Sequence, residues 1–159
     1  RSVRQGQILR ARGPIGKFCY FPAKDTPRLL MTAGGSGVTP FVSILREMSN
    51  NRFPANTKMM LVVSHRTRAD LICGQELLEM QQACPQIQVF TTLTREDATH
   101  EGFFSGHLRE EMLEEALGGD WGGLTVMSCG PQALMGFTST LALAKGVPPE
   151  RVKVESFEN

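Results

Sequence analysis

The eight residues Ala33-Gly34-Gly35-Ser36-Gly37-Val38-Thr39-Pro40 place three glycines and two hydroxyls directly after an apolar run. Glycines permit positive φ and remove Cβ atoms that would block a ligand. Pro40 suits the first position of a helix, with Thr39 before it as N-cap. A glycine turn that opens a helix offers free N–H groups and the positive end of the helix dipole. That is the chemistry of an anion site, and here of a pyrophosphate cradle. The spacing is not G-x-G-x-x-G, because Pro40 stands where the third glycine would be, and no Gly-Lys-Ser/Thr follows. A tight structural turn is the competing reading.

Three other segments carry comparable residue types. Ser64-His65-Arg66-Thr67-Arg68 lacks the Asp or Glu that dinucleotide dehydrogenases place after the second strand to bond the ribose 2′-OH. Arg66 is a candidate for facing a phosphate or stacking on adenine, and Arg68 reads as a solvated charge. Thr94-Arg95 sets a hydroxyl beside a guanidinium, a phosphate-contact pair or an exposed loop on spacing alone. Ser128-Cys129-Gly130-Pro131 sets a thiol beside a glycine that permits close approach. With no histidine expected nearby except His65, Cys129 reads as a packing or cofactor-contact residue rather than a nucleophile. His65, His100 and His107 share no ligand spacing and read as surface or capping residues. No Cys/His grouping has zinc spacing, so no metal site is expected.

These segments need elements to hold them. Apolar, β-rich stretches at 29–33, 58–64, 86–93, 124–128 and 151–156 predict five strands. A helix from Pro40 carries Phe41, Ile44, Leu45 and Met48 as an apolar stripe. A second, over 74–82, turns Leu77 and Leu78 inward. A third, near 107–117, buries Leu108, Met112 and Leu113 and leaves Glu110, Glu111, Glu114 and Glu115 solvated. A fourth runs from Pro131 to Lys145 and stops at Gly146. Alternating strands and helices predict an α/β fold: a five-stranded, parallel, doubly wound, Rossmann-like sheet, with the candidate segments at the carboxyl ends of its strands.

The chain has 159 residues and a formal net charge of +1. Such a length suits one domain, and so small a charge argues against nucleic acid as a partner. No apolar run approaches the ~18 residues of a membrane span. The cysteines Cys19, Cys73, Cys84 and Cys129 include no C-x-x-C pair; they read as small buried residues in a reducing, cytoplasmic setting. An opening Arg1 without Met predicts a fragment or a processed chain.

The order AGGSGVTP, PFVSILREM, SHRTRADLICGQEL, TTLTRED, SCGP, GVPPERVKVESF resembles the NAD(P)H-binding domain of the ferredoxin–NADP⁺ reductase superfamily over residues 9–157. GPIGKF at 13–18 is similar to the end of that family's FAD-binding barrel. Glu101-Gly102-Phe103 and Gly106-His107-Leu108 resemble oxygenase-type and hybrid-cluster-type electron-transfer reductases. The resemblance implies that Gly34, Gly35, Ser36, Gly37, Thr39 and Pro40 hold the pyrophosphate of NAD(P)H. It implies Arg66, Thr94 and Arg95 around the adenosine ribose, and Cys129, Gly130 and Pro131 beside the nicotinamide. Glu155, Ser156 and Phe157 match the segment returning to the flavin, with Phe157 over the isoalloxazine; Cys129 and Glu155 are the implied catalytic residues. Residues 1–25 are expected to be the tail of a FAD-binding barrel plus linker, and 26–159 the NAD(P)H-binding domain. The barrel's flavin-phosphate motif is absent, and no iron–sulfur module follows Phe157-Glu158-Asn159. The expectation is therefore the nucleotide half of a flavoprotein whose partners are its own FAD domain and an iron–sulfur or other electron acceptor. A non-catalytic dinucleotide-binding regulatory subunit is the alternative.

Overall fold

The computed structural model describes residues 3–13, 15–50, 53–98 and 102–157. Six strands, β1 (Arg28–Gly34), β2 (Lys58–His65), β3 (Ile87–Leu93), β4 (Phe103–Ser105), β5 (Leu124–Cys129) and β6 (Val152–Glu155), form one sheet in the order β4-β3-β2-β1-β5-β6. Every neighbouring pair is parallel. The last six residues of β1 and all six of β5 are buried, as befits central strands covered on both faces. The helices are α1 (Thr39–Ser49), α2 (Gly74–Ala83), α3 (Glu110–Leu117) and α4 (Gln132–Ala144). From β1 the chain winds outward through β2, β3 and β4, then returns to place β5 on the other side of β1. The crevice of such a sheet opens where the winding reverses, between β1 and β5.

The doubly wound parallel fold read from the sequence holds, with six strands instead of five. β4 has only three residues, too few for a periodic signal, and it pairs Thr91 with Phe103 and Leu93 with Ser105. Side chains alternate between two cores. Met31, Leu61 and Val63 face Phe41 and Leu45 of α1 and Leu77 and Met80 of α2. Leu30, Met60 and Val126 face Leu113 and Leu117 of α3 and Ala142 of α4. A fully buried Phe41 or Leu45 contributes about 2 kcal/mol each through area removed from water. Leu78 departs from expectation and is 45% exposed, because the inward stripe of α2 runs from Leu77 to Met80, three residues on.

Buried hydroxyls fix α4 on the sheet. Thr32 of β1 donates to Ser128 of β5 at 2.7 Å and lies 3.0 Å from Thr138 of α4. The acidic face of α3 is not uniformly solvated: Glu114 accepts from the Trp121 indole at 2.9 Å and meets Lys145 at 2.6 Å. Those donors hold its carboxyl below the usual range, Lys145 first. Described residues before β1 carry no helix or strand. They are nonetheless tied down: Phe18 meets Phe41 edge-on at 5.8 Å, and Lys153 of β6 meets Asp25 at 2.6 Å and donates to the Cys19 carbonyl at 2.9 Å. Pro14 lies outside the described residues.

Candidate functional site

β1 runs into a 3-10 turn, Gly35–Val38, which continues directly as α1. Thr39 is therefore the first residue of α1 and not its N-cap; that place falls to Val38, and the Thr39 hydroxyl donates to the Ser36 carbonyl at 2.9 Å. The glycines divide by role. A Cβ on Gly37 would lie 2.2 Å from the Cys129 carbonyl oxygen, and one on Gly34 would lie 2.5 Å from Pro131 Cδ. Gly130, at φ +140°, would press its Cβ to 2.8 Å from the Gly34 nitrogen. These three glycines let the turns after β1 and β5 close on each other. Gly35, at φ +53° with open space where its Cβ would stand, is the one that bares backbone to a ligand.

Along this carboxyl edge lies a cavity of about 760 Å³, within the ~300–1,000 Å³ of small-molecule sites. Its lining follows the order of the strands. Thr94 lies beyond β3, and Ser64, His65 and Arg66 lie at the end of β2. Gly34, Gly35 and Ser36 come after β1, Gly130 and Pro131 after β5, and Phe157 beyond β6. His107 and Leu108 before α3, and Ala133, Leu134 and Phe137 of α4, complete the wall. Backbone bridges hold the β2 and β3 ends together: Thr94 N–H donates to the His65 carbonyl and Arg95 N–H to the Arg66 carbonyl, both at 2.9 Å.

Of the residues expected here, Gly34, Gly35, Ser36, Arg66, Thr94, Gly130, Pro131 and Phe157 line the cavity. Gly37, Thr39 and Pro40 do not line it. Arg95 lines a neighbouring hollow of about 390 Å³ with Glu96 and Asp97. Cys129 and Glu155 do not line the cavity. The Cys129 thiol is fully buried, and burial, aided by the Glu155 charge, pushes its pKa up. It stays a neutral thiol beneath the turn, consistent with packing and not with covalent chemistry.

Several expectations change. His65 is 6% exposed and belongs to the cavity wall, not the surface; burial holds its pKa down, opposed by Asp70. His107 also lines the cavity, while His100 and Glu101 fall outside the described residues. Arg68 is not a free solvated charge: it meets Glu96 at 3.0 Å and lies 5.2 Å from the Phe103 ring centre. The cysteines are all free, but Cys19 is exposed and Cys73 half-buried. Sequence reasoning missed Asp70. The 3-10 turn Arg68–Asp70 brings it to the cavity, clasped by Thr67, whose N–H (3.0 Å) and hydroxyl (2.8 Å) donate to Oδ2. The Thr67-x-x-Asp70 spacing, a capping signature, was the available signal.

A cavity of mixed polar and apolar lining along the carboxyl ends of a doubly wound sheet, at a helix N-terminus, defines a nucleotide-binding class of domain. The family model for the oxidoreductase NAD-binding domain matches residues 31–140. The chain is 32% identical over 148 residues to NADH oxidoreductase HCR of Escherichia coli (strain K12), covering 92% of this chain and 41% of that protein. It superposes on the cytochrome b5 reductase domain of Ulva prolifera nitrate reductase with a TM-score of 0.70 at 26% identity, covering 83% of this chain and 49% of that one. Amycolatopsis cytochrome P450 reductase GcoB shares the fold, with a TM-score of 0.75 at 23% identity over 96% of this chain and 46% of that one. The chain belongs to the oxidoreductase NAD-binding domain family, in accord with the resemblance read from its motifs. It spans less than half the length of each of these three relatives.

Proposed function

We propose that this chain is the nucleotide-binding half of a flavin-dependent reductase, passing reducing equivalents from NAD(P)H to FAD and onward to an iron–sulfur or other acceptor. The observation that carries the reading is the cavity itself, continuous from Thr94 beyond β3 to Phe157 beyond β6. Its residues fit a dinucleotide. Ser36 and the open backbone at Gly35 suit a diphosphate, beside the start of α1. Arg66 and Thr94 suit the adenosine end, and Gly130 and Pro131 the nicotinamide end. Bound there, NAD(P)H supplies a hydride that FAD accepts, and the protein supplies orientation and exclusion of water. Leu108, Leu134 and Phe137 give that wall its apolar face. Phe157, 56% exposed at the cavity's end, is placed to cover a flavin ring. Cys129 supports the nicotinamide turn from below. No proton donor is required at a hydride step, and none of the cavity residues is assigned one.

Residues 1–25 are proposed as the tail of a FAD-binding domain and 26–159 as the NAD(P)H-binding domain. The Asp25–Lys153 ion pair at 2.6 Å would anchor that tail to β6. Four unpaired cysteines support a reducing, cytoplasmic location. Among the described residues no helix is long and apolar enough to cross a membrane. Calorimetric titration of the chain with NADH, NADPH and FAD tests the reading. Weak binding of a nicotinamide nucleotide with no retained FAD is expected; stoichiometric FAD retention would overturn the assignment.

A further inference from the structure

We propose that His65 takes up a proton together with the dinucleotide, so that the cavity binds a diphosphate more tightly as pH falls below neutrality. The inference rests on the reading of the cavity as a dinucleotide site, and it concerns an imidazole that the hydride step does not use. Gly34 of β1 pairs with Ser64 of β2, so His65 stands level with Gly35, where the turn bares its backbone. Met59, Leu61 and Val63 of β2 face the core that holds α1 and α2, and the alternation carries His65 to that same face. The ring is therefore on the side of the sheet from which α1 starts. It is almost fully buried there, and it lines the cavity.

Burial disfavours the imidazolium and holds the His65 pKa down; the Asp70 carboxylate and a hydrogen bond to the Asp70 backbone oppose burial without overcoming it. The ring is therefore neutral at neutral pH. The other elements around it supply no further free anion. α1 has no acid in its first turn; its Arg46 and Glu47 lie about two turns on, and Arg46 is paired with Glu76 of α2 at 2.6 Å. Beyond β3, Glu96 meets Arg68 at 3.0 Å, and Arg95 and Asp97 line the neighbouring hollow. Arg66 and His107 share the cavity wall and bring no negative charge. A diphosphate at the start of α1 changes this balance. Each phosphate is an anion, and an opposite charge within ~4–6 Å favours the protonated ring. By linkage, a ligand that raises the pKa of a group takes up protons as it binds. Affinity then rises as pH falls through the pKa of the complex and levels off below that of the free chain.

Calorimetric titration of the chain with ADP-ribose, which carries the diphosphate and no redox chemistry, tests this. Both of its phosphates stay ionised from mildly acid to mildly basic pH, so the protein is the source of any linked proton. Near the ordinary imidazole value of about 6.5, titrations in two buffers of different ionisation enthalpy should report net proton uptake. Affinity should be severalfold higher at about pH 6 than at about pH 8. His65→Gln should abolish the uptake and flatten the pH profile, whereas His107→Gln should retain both. Adenosine, which has no phosphate, should take up no proton. Proton release, a pH-independent affinity, uptake with adenosine, or uptake that follows His107 instead of His65 would each overturn the inference. Should His65→Gln not fold, the imidazole NMR resonances of the unaltered chain still decide: the His65 titration must move to higher pH at saturating ADP-ribose, and an unmoved one sinks the proposal. Binding without these proton effects leaves the dinucleotide reading standing; no binding of ADP-ribose at any pH overturns both.

Discussion

The two ends of the cavity are built in opposite ways. At the β1/β5 end, backbone packs on backbone: Gly34, Gly37 and Gly130 leave 2.2–2.8 Å between a notional Cβ and atoms of the facing turn. At the β2/β3 end, side chains do the holding. Thr67 clasps Asp70, Glu96 accepts from the Arg68 N–H at 2.8 Å, and Arg68 lies over Phe103. The first end tolerates no added atom and fixes the crevice at the switch point. The second can exchange side chains and keep its shape, so it is where ligand preference can vary without cost to the fold.

The largest expected effects therefore fall at the first end. Gly37→Ala should cost ~3 kcal/mol or more in urea denaturation, because its methyl meets a carbonyl that cannot move without displacing β5. Gly35→Ala, two residues away in the same turn, should cost only ~1–2 kcal/mol, since its φ of +53° is strained for alanine but its surroundings are open. Equal costs at the two positions would dissolve the distinction between a packing glycine and a ligand-facing one.

At the second end effects should move to binding. Arg66 is exposed and its side chain makes no ion pair among the described residues, so Arg66→Ala should weaken nicotinamide nucleotide binding about tenfold while the urea midpoint stays put. A drop in stability of the size seen at Gly37 would break the comparison. Thr67→Ala should cost about 1 kcal/mol, the usual worth of a capping hydroxyl.

Burial lowers the His65 pKa, so folding favours its neutral form; stability is lost as pH falls from the ordinary imidazole value of about 6.5. The carboxyls of Asp70, Glu76, Glu114 and Asp120 are held low, chiefly by hydrogen bonds from Thr67, Arg46, Lys145 and the Gly122 amide respectively. Their contribution is present above the ordinary carboxylate range and lost as pH falls through the lowered values. Urea midpoints should thus decline in two steps on acidification, and His65→Gln should remove the first. The smallest change is expected at the exposed Arg46–Glu76 pair, 2.6 Å apart on the surface: Glu76→Gln should leave binding untouched and the midpoint nearly so.

The legibility of the sequence follows the same division. Strands β1, β2, β3 and β5 and the four helices were readable because burial in the sheet imposes apolar runs and helical stripes, whereas the half-exposed edge strand β6 was readable only from its β-branched Val152 and Val154. The β1/β5 end was readable because close backbone approach demands glycine, although the reason differs from the ligand access first inferred. Of the glycines at that end, Gly35 alone combines open space with positive φ. β4 was invisible, since Phe103–Ser105 is a three-residue edge strand. The β2/β3 end was misread because its parts are assembled by tertiary contact. Asp70 reaches the cavity through a turn, Arg68 is drawn to Glu96 from 28 residues away, and His65 is buried by neighbours its own segment does not announce. Cys129 sits at the expected edge, but its thiol points beneath the turn, a direction that residue spacing does not encode.

The central claim is that a dinucleotide lies along the carboxyl edge in strand order. Backbone amide NMR of the chain titrated with ADP-ribose tests it most directly. The account predicts shifts confined to Thr94, Arg66, Gly35, Ser36 and the turn at Gly130, with the amino ends of the strands, such as Lys58 and Leu124, unmoved. Shifts clustered at those amino ends, or none at saturating ligand, would contradict it.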